Sequence, residues 1–294
     1  MAEHAHTSTP GPSSTPGIAP GGTGVAAARK RFRVHHLLEH KTAGRKLTML
    51  TAYDSITGRI FDEAGIDLIL VGDSMGDNVL GHATTIPVTL DELVVAARSV
   101  ARAAKHAMVV ADLPFGSYEA SPQQAHASAV RMLKEAEVHA VKIEGGARIA
   151  PHVELLTGSG IPVFGHLGFT PQSENMLGGK RIQGRGDEAA ERLCADALAL
   201  QEAGAVSVVL EMVPAPLAAR VTEILRIPTI GIGAGSEVDG QVLVWTDMAG
   251  ISDWSPRFAK QFGQVGAALS AAAMDYIGEV QAVTFPAAEH QYEH

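Results

Sequence analysis

Strand-length apolar runs that close on an acidic or histidine residue recur along this chain, and they restrict its possible folds more than any other feature. The runs over 68–73, 108–112 and 140–144 end on Asp73, Asp112 and Glu144, the run over 206–211 ends on Glu211, and the run over 163–166 ends on His166. Aliphatic and β-branched runs of this length read as buried parallel strands. A carboxylate at the exit of such a strand has no packing reason to be there. The carboxyl ends of the strands are, however, where a (β/α)8 barrel does its chemistry. The repeated pattern therefore suggests a fold, an active-site face and the ligands of a metal.

Helix signals alternate with these runs. Gly65 stops a helix begun at Ser55, Thr89 and Glu92 have the spacing of a capping box, and Ser121 precedes Pro122 as an N-cap precedes N1. Asp187 and Pro214 start two more helices. Strands are expected at 46–54, 68–73, 108–112, 140–144, 163–166, 206–211, 227–235 and 242–245, eight in all. A doubly wound sheet is the competing α/β fold, but it gathers functional residues at a switch point rather than after nearly every strand. The expected fold is thus α/β, a (β/α)8 TIM barrel with an additional C-terminal helix over about 260–281 and a disordered N-terminal tail. The tail, 1–28, is rich in Pro, Gly, Ser and Thr and has no leucine or aromatic residue, too little apolar surface to offset its ordering entropy. The catalytic barrel is expected over 29–285, and a loose C-terminus over 286–294.

With 294 residues, 46% of them hydrophobic, the chain can bury a substantial core. A net charge of −9 argues against nucleic acid as a partner. The basic cluster Arg29, Lys30, Arg31 and Arg33 reads as a solvated entry to the first helix. No apolar run reaches the ~20 residues of a membrane span, and no N-terminal apolar stretch marks a secretory signal. The single cysteine, Cys194, excludes an internal disulfide and points to a reducing, cytoplasmic setting. It lies in an alanine-rich helical pattern and reads as a small buried hydrophobe.

Asp73, Asp112 and Glu144 would stand at neighbouring strand ends, where three carboxylates repel one another unless a cation or protons intervene. Oxygen-only donors suit a hard ion, Mg²⁺ before Zn²⁺. Such residues can instead cap helices, a role that fits Asp112 badly because Leu113-Pro114 follows it. Lys142 shares a strand face with Glu144 and reads as an anchor for a substrate carboxylate, a Schiff-base nucleophile or one half of an ion pair. His166 reads as a donor aimed into the barrel mouth or as a structural residue. Glu211, across the rim from the acidic trio, reads as a general base or a salt-bridged rim residue. The glycines of 231–235 are a weak phosphate signal, equally well explained by close backbone approach. The long segment 170–187 has the length of a functional loop, and its Lys180, Arg181 and Arg185 face either an acidic ligand or solvent.

Val71-Gly-Asp-Ser74, Ala111-Asp-Leu-Pro114, Val141-Lys-Ile-Glu-Gly-Gly146, Gly165-His-Leu-Gly168 with Thr170-Pro-Gln172, Gln183-Gly-Arg-Gly-Asp187, Glu211 and Gly231-Ile-Gly-Ala-Gly235 occur together and in order. Through this set, over about residues 30–285, the chain strongly resembles the ketopantoate hydroxymethyltransferase family. The resemblance implies transfer of a hydroxymethyl group from 5,10-methylenetetrahydrofolate to ketoisovalerate (3-methyl-2-oxobutanoate) in pantothenate biosynthesis, through a Mg²⁺-stabilised enolate. It implies Asp73 and Asp112 as metal ligands with Glu144 in the metal's shell, Ser74 and Lys142 as holders of the keto acid, and Glu211 as the base. Taken with the residue reading, the expected substrate-binding set is Asp73, Ser74, Asp112, Lys142 and His166. Lys180, Arg181 and Arg185 become candidates for the acidic folate tail. A homo-oligomer, a decamer with its C-terminal helix docked on a neighbour, is also implied. A Mg²⁺-dependent carbon–carbon lyase would use the same enolate chemistry without folate, and often a loop cysteine, whereas Cys194 sits in a helical pattern.

Overall fold

The structure, a computed structural model, describes residues 29–251 and 254–292; the tail expected over 1–28 lies outside the described residues. Eight parallel strands close into a barrel in sequence order: β1 (Leu47–Thr51), β2 (Leu68–Val71), β3 (Met108–Asp112), β4 (Ala140–Glu144), β5 (Val163–Gly168), β6 (Ser207–Glu211), β7 (Thr229–Ile232) and β8 (Gly240–Leu243). The barrel expected from the strand pattern is the one observed.

The strand period of two explains how the site is built. Leu68, Leu70, Met108, Val110, Ala140, Phe164, Val209, Ile230 and Val242 point inward and, with Phe32 and Leu37 below, fill the barrel. Ile69, Val71, Val109, Ala111, Val141, Ile143, Val163 and Val208 point outward into a second apolar layer beneath the helices. Continuing each inward row one step up the barrel reaches Asp112 above Val110, Lys142 and Glu144 above Ala140, His166 above Phe164, and Glu211 above Val209. The apolar floor and the polar mouth thus come from the same strand faces.

Local chemistry sets the helices that hold the strands apart. Asp54 accepts from the amides of Ile56 and Thr57 to start Ser55–Ala64, which ends on Gly65 in the left-handed region. Thr89 and Glu92 make the reciprocal capping box of Leu90–Ala103, and Ser121 caps Pro122–Glu135. Asp187–Glu202 and Ala215–Ile224 begin where the sequence places them. Cys194 is buried in the first of these, and burial pushes its thiol up, away from thiolate character.

Two elements differ from the expectation. The last strand begins at Gly240 rather than Val242, and Trp245 opens a short helix, Trp245–Ala249. Gly240 pairs with Leu47 and Ile230 on its two sides, a register that apolar patterning does not reveal. The C-terminal helix, Val265–Gln281, starts later than expected and has no buried residue among those described. The helix is therefore not packed into the core beneath the barrel.

Candidate active site

The C-terminal mouth of the barrel opens into a cavity of about 1310 Å³ lined by Asp73, Ser74, Asp112, Lys142, Glu144, His166 and Glu211, with Lys180, Ile182 and Arg185 from the long loop. Asp73, Ser74, Asp112, Lys142, Glu144, His166 and Glu211 therefore reach one space, and of the three basic loop residues Lys180 and Arg185 line it while Arg181 does not. The strand register is the reason: Asp112 lies beside Lys142, Glu144 beside His166, and Gly168 beside Glu211.

Asp73 lies just beyond β2, where strand alternation no longer governs its direction. Its position is set instead by its own amide, which donates to Asp112 Oδ2 at 3.0 Å. Lys142 Nζ is 3.0 Å from Asp112 Oδ1 and 3.9 Å from Glu144 Oε1. The Asp112 contact is a buried ion pair. His166 Nδ1 is 3.1 Å from Glu144 Oε1, and its Nε2 is 3.3 Å from Glu211 Oε2. Ser74 Oγ shares a hydrogen bond of 2.8 Å with the Tyr53 hydroxyl.

These contacts set the charges. Burial, then the charges of Asp112 and Glu144, push the Asp73 carboxyl well above the usual carboxylate range. Burial also raises Asp112, against the pull of Lys142. Burial acts on Glu144 in the same sense, but the His166 hydrogen bond and charge, with Lys142 and the Gln172 amide, hold it below its ordinary value. Burial works to lower Lys142, and the charges of Asp112, Glu144 and Asp73 outweigh it, so the amine stays an ammonium. That argues for an anchoring cation rather than a Schiff-base nucleophile, which must be a free amine. For His166, burial and Lys142 act downward, yet Glu144 and Glu211 push it up to about 9.

Glu211 does not stand apart from the acidic group, as its sequence position suggests. Only β5 separates β6 from β4, and the His166 ring spans from Glu144 to Glu211. Gly168 makes that closeness possible: it adopts φ +90°, and a Cβ there would lie 2.1 Å from the Glu211 carbonyl oxygen. The glycine-rich segment after β7 follows the same logic, since a Cβ on Gly235 would meet Ala215 Cβ at 2.5 Å.

Two residues with no assigned role in the sequence reading join the site. Tyr118 and Gln172 are buried beside Glu144 and Asp73. Gln172 lies within the Thr170-Pro-Gln172 motif, the only sequence signal pointing to it, and Tyr118 follows β3 with none.

Among the described residues no three His, Cys, Asp or Glu side chains converge as a ready-made metal cage. The donors nevertheless fit Mg²⁺, an ion commonly bound by one or two carboxylates that keeps water and substrate oxygens in its remaining positions. Asp73 and Asp112 supply the carboxylates, and both line the cavity. Glu144 fits direct ligation less well, because Oε1 faces His166 and Oε2 accepts from the Gln172 amide.

A closed parallel barrel with carboxylates, an ammonium and a histidine gathered at its C-terminal mouth is a (β/α)8-barrel enzyme. Residues 31–288 match the family model of ketopantoate hydroxymethyltransferase. The 3-methyl-2-oxobutanoate hydroxymethyltransferase of Saccharopolyspora erythraea is 58% identical over 271 residues, covering 92% of this chain and 92% of that protein. The enzyme of the same name from Mycobacterium tuberculosis is 57% identical over 274 residues, covering 93% and 96%. This chain belongs to the ketopantoate hydroxymethyltransferase family and is a transferase. Among solved structures, phosphonopyruvate hydrolase in complex with oxalate and Mg++ superposes with a TM-score of 0.57 at 11% identity, covering 87% of this chain and 92% of that one. A 2,3-dimethylmalate lyase superposes with a TM-score of 0.56 at 18% identity, covering 84% and 87%. At these identities the likeness is one of fold.

Proposed function

We propose that the chain transfers a hydroxymethyl group from 5,10-methylenetetrahydrofolate to 3-methyl-2-oxobutanoate, giving 2-dehydropantoate for pantothenate biosynthesis. Family membership supports the substrate and product. The observation that carries the reading is the line of contacts Asp112–Lys142–Glu144–His166–Glu211, which sets a fixed cation at one end and a half-buried carboxylate at the other.

Asp73 and Asp112 would hold Mg²⁺, with Glu144 reaching it through water. When bound, the ion polarises the keto carbonyl and lowers the cost of negative charge on its oxygen. The Lys142 ammonium meets the substrate carboxylate, and the Ser74 hydroxyl, steadied by Tyr53, donates to the same group. Glu211 accepts the C3 proton as the C3–H bond breaks and its electron pair enters the enolate. His166 orients the Glu211 carboxylate for that transfer. The enolate carbon then bonds to the methylene carbon of the donor as one of its two C–N bonds opens. Water displaces the second nitrogen, its oxygen becoming the product hydroxyl, and the proton held by Glu211 and one from water go to the two nitrogens of the departing tetrahydrofolate. Lys180 and Arg185, which line the outer cavity, are suited to the acidic folate tail. We read the protein as cytoplasmic: its cysteine is free and buried, and among the described residues no helix is long and apolar enough to cross a membrane.

Purified protein given ketoisovalerate, methylenetetrahydrofolate and Mg²⁺ is expected to form ketopantoate, detected by chromatography, and to stop when the metal is chelated. Absence of product would overturn the reading, and folate-independent cleavage of a keto acid would favour a lyase instead.

A further inference from the structure

Gln172 is buried at the root of the long loop, and every hydrogen-bonding group of its side chain is engaged. Its Nε2 donates to Asp73 Oδ2 at 2.8 Å and to the Leu113 carbonyl at 3.0 Å. Its Oε1 accepts from the Tyr118 hydroxyl at 2.7 Å, and its backbone amide donates to Glu144 Oε2 at 3.0 Å.

The direction of this chain is fixed. The Glu144 amide donates to the Tyr118 oxygen at 3.1 Å, and the single Tyr118 proton has two acceptors in reach, Gln172 Oε1 at 2.7 Å and the more distant Glu144 carbonyl at 3.3 Å. The Leu113 carbonyl can only accept, so the NH₂ end of the amide faces it and Asp73, and the oxygen end faces Tyr118. One residue thus ties Asp73 Oδ2 and Glu144 Oε2 to the same loop, leaving Asp73 Oδ1 as the oxygen to present elsewhere.

We infer that Gln172, oriented by Tyr118, is a positioning residue that fixes the Asp73 carboxylate so that one oxygen is held by the protein and the other is offered to the metal. This rests on the proposal that Asp73 ligates Mg²⁺. A carboxylate left to rotate between a lysine, a second aspartate and a cavity would have to be ordered at the moment of binding. Partners of metal ligands commonly matter to affinity by roughly 10–100-fold.

The test is Mn²⁺ binding to the full chain without substrates, followed by the electron paramagnetic resonance of free Mn²⁺. Gln172→Met keeps the length and loses both polar ends; Gln172→Glu keeps the acceptor for Tyr118 and loses the donor to Asp73. Thermal unfolding identifies any variant that does not fold, and Tyr118→Phe provides a milder perturbation of the same chain. The expected results are Mn²⁺ binding weakened about tenfold or more by Gln172→Met, and by a smaller factor in the same direction by Tyr118→Phe. A role in packing alone would change the unfolding temperature of Gln172→Met and leave the affinity of its folded form unchanged; that result overturns the inference. Asp73→Asn separates the two layers. If it weakens binding, the metal proposal stands and the Gln172 result decides the inference. If it does not, the metal proposal falls and the inference falls with it.

Discussion

His166 has a carboxylate at each ring nitrogen, Glu144 at 3.1 Å and Glu211 at 3.3 Å. Its pKa of about 9 in the folded chain lies above the ordinary value of 6.5 despite burial and the Lys142 charge. The sign of the linkage follows: the stability gained from the protonated ring is fully present below pH 6.5 and is lost as pH rises through about 9. In the metal-free protein, the ring proton resonances of His166 should titrate near 9, and Glu144→Gln should bring that midpoint down. A midpoint near that of a free histidine in the unsubstituted protein would contradict the bridging geometry. Lys142 complements this picture. The ammonium that anchors a substrate carboxylate is also the ion that lets Asp112 and Glu144 share one rim.

At the scale of the element, β5 and β6 meet with little tolerance in the barrel mouth. Their registered residues Gly168 and Glu211 leave no space for a side chain on the glycine, which also sits at φ +90°. Gly168→Ala should therefore destabilise the fold by about 3 kcal/mol, combining backbone strain with overpacking. Urea unfolding measures the loss, and a change under 0.5 kcal/mol would mean that the strands relax freely. The strand ends were legible because an acid after an apolar run has no packing explanation, and the period of two carries Asp112, Lys142, Glu144, His166 and Glu211 to one interior. Gln172 was not legible as a site residue: its contact with Asp73 spans 99 positions, and a loop amide carries no periodic signal. The start of β8 at Gly240 was hidden for a related reason, since pairing with Leu47 and Ile230 decides it rather than local apolarity. The joining of Glu211 to Glu144 needed the closed barrel, in which β6 lies two strands from β4.

At the scale of the molecule, the barrel accounts for its own core while the helix Val265–Gln281 remains outside it. Leu269, Met274, Tyr276 and Ile277 on that helix are all more than half exposed, at 67%, 62%, 59% and 51%. An apolar surface of this kind is costly to leave in water. We propose it as the contact through which the chain self-associates. Leu269→Glu combined with Ile277→Glu should shift the molar mass measured by light scattering toward smaller species while leaving the circular dichroism of the barrel unchanged. An unchanged mass in the double variant would remove the helix from the assembly.

The central claim is that this mouth removes the C3 proton of a keto acid with Glu211 as the base. Exchange of that proton for deuterium, followed by proton NMR of ketoisovalerate in D₂O without folate, tests it most directly. The unsubstituted protein should exchange the proton in a Mg²⁺-dependent way, and Glu211→Gln should slow exchange by about 10²-fold or more while ketoisovalerate still binds. Exchange at the unsubstituted rate in Glu211→Gln, or no exchange in the unsubstituted protein with Mg²⁺ present, would contradict the account.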